Sequence, residues 1–254
     1  MKDYRGIDKA SNDMLPFFAI PTTAGTGSEC QSFAIISDTQ THEKMACGDK
    51  RAAARIAFLD PLLTTTQPFK ITAQTGIDAI SHSIESLVTK TKTDVSEEYS
   101  RLSFQLINRS FKNVIKDPEN INARSDMLLG AAYAGTAIEC SMLGAAHAAA
   151  NPMTAKFSIP HGVAVGIMLP HIIKYNSLDN EVADVYDSLI GQCLSERVVE
   201  LLNIAKIKVR LSEYGITSND LLNLSEAAST QWTGNFNPRR FSVDDFLELY
   251  ESAL

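Results

Sequence analysis

The amino-acid sequence predicts a mainly α-helical protein opened by a short α/β segment, and two observations carry that prediction. Before residue 66 the bulky apolar residues come in three short runs, "PFFAIPTT" (16–23), "CQSFAIISD" (30–38) and "RIAFLDP" (55–61). From about residue 68 onward they recur at helical spacing nearly to the end. The chain has 254 residues and 44% hydrophobic content, enough for one large or two modest domains with true cores.

Taken in order, the first run is bounded by Pro16 and Pro21 and reads as a buried strand feeding the loop "TTAGTGSE" (22–29). The second run reads as a strand and turn, and the third as a strand stopped by Pro61. Residues 71–90 have helical periodicity, and a helix over 96–117 opens on Ser96 ahead of Glu97 and Glu98 and stops before Pro118. The stretch 122–153 is rich in Ala and Gly, which lets helices approach closely. Helical runs follow over 161–176, 181–215, 217–230 and 242–254, the second ending at Gly215 and the last two starting on Thr217 and Ser242 as caps. The break near 61–68 is the one domain boundary, dividing 1–66 from 67–254. No internal repeat or low-complexity tract occurs.

Charge and composition exclude several classes. The net charge is −7, and the one local basic cluster is Lys50-Arg51 with Arg55, so no nucleic-acid partner is expected. The longest apolar run, residues 162–170, is far below the ~20 residues that span a bilayer. Four dispersed cysteines without CxxC spacing read as reduced, buried thiols and point to the cytoplasm; the polar opening residues lack the apolar stretch of a secretory signal.

Within "TGIDAISHSIES" (75–86), Asp78 and His82 stand four apart and so one turn apart on a helix face. His147 in "GAAHAAANP" and His161 in "SIPHGVAVG" lie in similar small-residue surroundings. Singly, each histidine reads as a hydrogen-bonded core residue. Together, one carboxylate and three imidazoles form a set that suits Fe(II) or Zn(II) and leaves room for an oxygen ligand. The loop 22–29 reads either as a tight strand-to-strand turn or as small residues and hydroxyls that let a phosphate or ribose approach. No Ser–His–Asp or Cys–His signature is present.

The segments "AIPTTAGTGSE", "GIDAISHSIES", "GAAHAAANP" with "IPHGVAVGIMLPH", and "QWTGNFNPRR" together resemble the iron-containing (group III) alcohol dehydrogenases, in family order along essentially the whole chain. The resemblance implies a dehydroquinate synthase-like, all-helical metal-binding domain over 67–254, preceded over 1–66 by a remnant of a Rossmann-like domain. It implies an NAD- or NADP-linked alcohol dehydrogenase or aldehyde reductase that uses Fe2+, or alternatively Zn2+. Asp78, His82, His147 and His161 would be the metal ligands and catalytic set. Thr22 and Thr23, continuing through Gly25, Thr26, Gly27 and Ser28, would contact the cofactor, as would Lys44 and the Leu63–Thr64 stretch.

Two departures from the family pattern stand out. Asn151 occupies a position, four residues after the third ligand, where many members carry a histidine, and an amide cannot titrate near neutral pH. The Gly-Gly-Gly-Ser phosphate loop of the family's opening domain is not found, nor is GxGxxG. Unpaired strand edges and exposed apolar surface are therefore expected in 1–66. The expected partners are a small alcohol or aldehyde, a second copy of the chain, and a separate chain supplying the absent strands. The competing reading is a non-catalytic metal-binding helical domain acting as an assembly partner. "QWTGNFNPRR" (231–240) is expected to position the last helix, and His171 to be a packing or hydrogen-bonding residue.

Overall fold

A computed structural model describes residues 2–37 and 44–254. Its strands all precede the first α-helix. They are β1 (Gly6–Ile7), β2 (Phe18–Ala19), β3 (Phe33–Ser37), β4 (Lys44–Gly48) and β5 (Ile56–Ala57). β4 lies between β1, to which it runs parallel, and β3, to which it runs antiparallel, while β2 pairs in parallel with β5. The three anticipated strands are present but shorter than their apolar runs. β1 and β4 have no comparable sequence signal, since Gly6–Ile7 is two residues long and Lys44–Gly48 carries no bulky β-branched residue.

The expected apolar exposure is pronounced here. Leu15, Ile7, Leu62, Phe18 and Ile20 are all more than half exposed, and Phe18 meets Phe58 edge-on across the β2–β5 ribbon. His42 falls outside the described residues. The four cysteines are free, but the expectation of buried thiols is corrected: Cys30, Cys47 and Cys140 are only partly buried and Cys193 is exposed.

The helices are α1 (Phe69–Val88), α2 (Asp94–Lys116), α3 (Ile121–Glu139), α4 (Ala145–Phe157), α5 (His161–Asn176), α6 (Asn180–Asp187), α7 (Leu194–Ile204), α8 (Leu221–Ser229) and α9 (Val243–Ala253). Three sequence expectations change. α2 is capped by Thr93, and Ser96 is the reciprocal partner in that capping box. The 122–153 stretch is two helices, divided at Gly144. The 181–215 stretch is also divided. α7 ends where Lys206 takes a left-handed conformation (φ 54°), with Ile207 N donating to Leu202 O and Lys206 N to Asn203 O. That is a Schellman ending on a residue other than glycine, which periodicity does not reveal.

α1 is the central helix. It packs against α2, α3 and α5, and every residue from Gly76 to Val88 is buried. Ile77, Ile80, Ile84 and Leu87 join Phe104, Ile107, Phe111 and Met127 in the core, each worth about 1.5–3 kcal/mol on full burial. The same stretch buries polar residues. Ser81, Ser83 and Ser86 return their hydroxyls to the carbonyls of Ile77, Ile80 and His82, at 2.7, 2.8 and 2.7 Å. Asp78 and His82 face each other along the helix, and both, with Glu85, turn towards groups on other elements.

The loop after β2 is bound to the helices by close backbone contact. Gly27 has φ 62°, and Cβ atoms built on Gly27 or Gly135 of α3 would fall 2.6 or 2.2 Å from the other's backbone. The Ser32 hydroxyl and amide also donate to Glu139 at 2.6 and 2.9 Å. Phe33 also stacks on Trp232, with ring centroids 6.3 Å apart. Gly135→Ala should therefore lower stability by about 1–3 kcal/mol, the usual effect of overpacking, read as a reduced melting temperature; an unchanged midpoint would deny the contact.

Candidate metal centre

Three helices deliver the site. α1 presents Asp78, His82 and Glu85 at i, i+4 and i+7, one continuous face. α4 places His147 in its first turn. After α4 ends on left-handed Ser158, the extended Pro160 caps α5, whose first residue is His161.

The side chains converge on one atom. Asp78 Oδ1 lies 3.5 Å from His82 Nε2, 3.6 Å from His147 Nε2 and 3.9 Å from His161 Nε2. The ligand atoms of Asp78, His147 and His161 all lie within 4.8 Å of one another. His82 joins this trio through Asp78 and stacks on the His147 ring at 4.9 Å. Asp78, His82 and His147 are buried, while the His161 side chain is 32% exposed and marks the open side.

These separations test whether a metal fits. Asp78 Oδ1 and His147 Nε2 are buried and make no hydrogen bond. Their contacts are too long for hydrogen bonds but match the ~3.4 Å expected between two ligands each about 2.1 Å from a tetrahedral centre. A carboxylate oxygen and imidazole nitrogens form a donor set suited to Fe(II) or Zn(II). The residues present fit a divalent metal ion.

Glu85, which sequence reading did not single out, completes the arrangement. The His147 Nδ1–H donates to Glu85 Oε2 in a short bond. This fixes the tautomer that leaves Nε2 free as a ligand, as carboxylates commonly do for metal-bound imidazoles. Glu85 Oε1 accepts from Ala146 N at 2.7 Å, at the start of α4. The signal was available: Glu85 is the third ionisable residue on the face that carries Asp78 and His82.

The electrostatics follow from burial and pairing. Burial alone would raise the Asp78 carboxyl, but His82, His147 and His161 outweigh it and hold the group far below the usual carboxylate range. Burial would likewise raise Glu85, and His147 brings it down. Burial lowers His147, yet Glu85 and Asp78 lift it to about 9. His82 stays below its ordinary value because burial exceeds the pull of Asp78, and the Gly25 backbone also contacts it.

The loop 22–28 lies beside this centre. Gly25 packs against Thr75, three residues before Asp78, so closely that a Cβ there would sit 2.3 Å from the Thr75 Cβ. Thr22, Thr26 and Ser28 are exposed and Thr23 partly so; the Ser28 hydroxyl donates to Thr26 Oγ1 at 3.0 Å. Leu63 is exposed in the 3-10 turn Pro61–Thr64, while Thr64 is buried with its hydroxyl spent on Pro61 O. Lys44 begins β4 opposite Ser37, and its side chain lies outside the description. Asn151, one turn past His147, donates from Nδ2 to Gln231 Oε1 at 3.0 Å. His171 is hydrogen-bonded to the Ser252 hydroxyl at 2.7 Å.

The pKa directions give a pH test on metal-free protein. A raised His147 contributes stability in full below its ordinary 6.5, lost as pH rises towards about 9. A lowered Glu85 contributes in full above its ordinary ~4.3, lost as pH falls. The stability gap between wild type and Glu85→Gln, read by urea unfolding, should be widest between about pH 4.5 and 6.5 and shrink towards pH 9. A gap independent of pH would dismiss the ion pair.

Residues 72–254 match the model of the Fe-containing alcohol dehydrogenase family, C-terminal, and residues 1–61 match that of the iron-containing alcohol dehydrogenases. Alcohol dehydrogenase 4 of Schizosaccharomyces pombe is 31% identical over 99% of this chain, which spans 62% of that protein's length. The NADPH-dependent butanol dehydrogenase of Clostridium saccharobutylicum is 33% identical over 92% of the chain and 64% of its own. The solved structure of an alcohol dehydrogenase from Oenococcus oeni superposes with a TM-score of 0.93 at 26% identity, covering all of this chain and 70% of that one. The chain belongs to the iron-containing alcohol dehydrogenase family.

Proposed function

We propose that this chain carries the metal-binding site of a nicotinamide-linked alcohol dehydrogenase or aldehyde reductase, with Asp78, His82, His147 and His161 holding Fe2+, or alternatively Zn2+. The observation that carries the reading is the convergence of three Nε2 atoms on Asp78 Oδ1. A divalent cation bound there supplies Lewis acidity towards an alcohol or carbonyl oxygen.

The chain's own residues do the rest. Asp78, His82 and His147 are buried and shielded from water, so the partly exposed His161 is where a small alcohol or aldehyde would approach. Glu85 holds the His147 ring by its Nδ1 and so keeps Nε2 turned towards Asp78. In the oxidative direction the substrate carbon gives a hydride to NAD or NADP, and its hydroxyl gives up a proton. Asn151 cannot accept that proton as an imidazole would.

Thr22, Thr23, Gly25, Thr26 and Ser28 are assigned to the cofactor, with Lys44 and Leu63. Support comes from the packing of Gly25 on the α1 turn just before Asp78, which sets the loop next to the reacting centre. The partners proposed are a second copy of this chain and an α/β segment, from the same or another chain, that covers the apolar strands. Among the described residues no helix is long and apolar enough to cross a membrane, and the free cysteines favour the cytoplasm.

After loading under reducing conditions, wild-type protein should hold one Fe(II) or Zn(II) per chain by elemental analysis. His147→Ala and His161→Ala should lose it. Absence of stoichiometric metal in the wild type would remove the reading. Saturable change in NADH or NADPH fluorescence on titration separates a dehydrogenase from a metal-binding assembly domain, which would show none.

A further inference from the structure

The segment 231–240 touches two of the helices that bring groups to the centre, α4 and α5, and the residues that follow the third, α1. Just past α1, Lys90 N donates to Phe236 O at 2.8 Å. On α4, Gln231 meets Asn151 and Asn237 Oδ1 accepts from Ala145 N at 3.3 Å. On α5, Arg239 stacks over the Tyr175 ring at 4.0 Å and donates to the Tyr175 carbonyl.

Asn237 is the centre of this contact. It is 1% exposed and forms a reciprocal amide pair with Asn176, also 1% exposed: Asn237 Nδ2 donates to Asn176 Oδ1 at 2.7 Å, and Asn176 Nδ2 to Asn237 Oδ1 at 3.2 Å. Its second Nδ2 proton goes to Arg239 O at 2.9 Å, so both amide protons and both acceptor positions are used.

The ends it joins are the ones that matter. α4 begins at Gly144 with no cap of its own, and its first two amides are taken by side chains from elsewhere: Ala145 by Asn237, and Ala146 by Glu85. The next residue is His147. Asn176 is the last residue of α5, whose first is His161. A rod held by its far end has its angle set there, and α5 is about 24 Å long.

We propose that Asn237 is a positioning residue of the metal centre, coupling the start of α4 to the end of α5 so that His147 and His161 reach Asp78 together. This rests on the metal reading above.

The test compares wild type with Asn237→Ala and Asn176→Ala, using Co(II) as the probe under reducing conditions. Metal affinity is read by chelator competition, and ligand geometry by the visible Co(II) spectrum. Leu211→Ala, fully buried in a turn outside the ligand-bearing helices, controls for general destabilisation. Asn237→Ala should weaken Co(II) binding about 10–100-fold and alter the spectrum, as loss of an outer partner does. Asn176→Ala should act in the same direction but less. Leu211→Ala should lower the melting temperature alone.

If wild type binds no Co(II), the metal reading fails and this inference with it. If wild type binds and Asn237→Ala matches it within about twofold with the same spectrum, only this inference fails. Should Asn237→Ala not fold, Asn176→Ala decides on the same two readings; failure of both to fold would make the pair scaffolding and overturn a positioning role.

Discussion

A carboxylate buried within a fully packed helix must be matched by charge, and the arrangement around α1 answers that need. An isolated ionised carboxylate in the interior is severely unfavourable, and such groups persist when paired or when they coordinate a metal. Asp78 has three imidazoles about it and stays ionised. Glu85, a second buried carboxylate on the same face, is matched by His147 and by amides at the start of α4. The placement of α4 and α5 is thus tied to two acidic side chains on one helix.

The polar stripe explains why α1 can be buried all round and still carry chemistry. Its serines satisfy themselves by bonding back to their own helix, which removes them as competitors for the centre. Only groups too long or too charged to do so are left to reach across. Small residues on the opposing surfaces, among them Gly162 against the Gln74 carbonyl, let α5 approach closely enough to be reached.

Much of this was legible in the sequence. The i, i+4 spacing of Asp78 and His82 places them on one face from periodicity alone, and the passage from strands to helices follows from the change of pattern. The meeting of those two with His147 and His161 was not legible from spacing, because it depends on how α4 and α5 pack; there the family resemblance supplied the expectation. Glu85 escaped because an acidic residue on a long helix ordinarily reads as a solvated face. The divisions at Gly144 and Lys206 escaped for a local reason: the first is one glycine in a run of small residues, the second a left-handed lysine that looks like a good helix former. Strand lengths were overestimated because β2 and β5 pair over only two residues each.

The contact between Phe33 and Trp232 has an optical consequence. The chain holds a single tryptophan, and it stands where a strand of the opening segment meets the loop that ties the helices together. Its indole is partly open to solvent, so its emission is sensitive to whether that strand is seated. Far-ultraviolet dichroism of the same sample is governed by the helices. The molecule therefore carries its own pair of reporters, one for the junction and one for the bundle, and unlike unfolding curves from the two would expose a step in which the strands leave first.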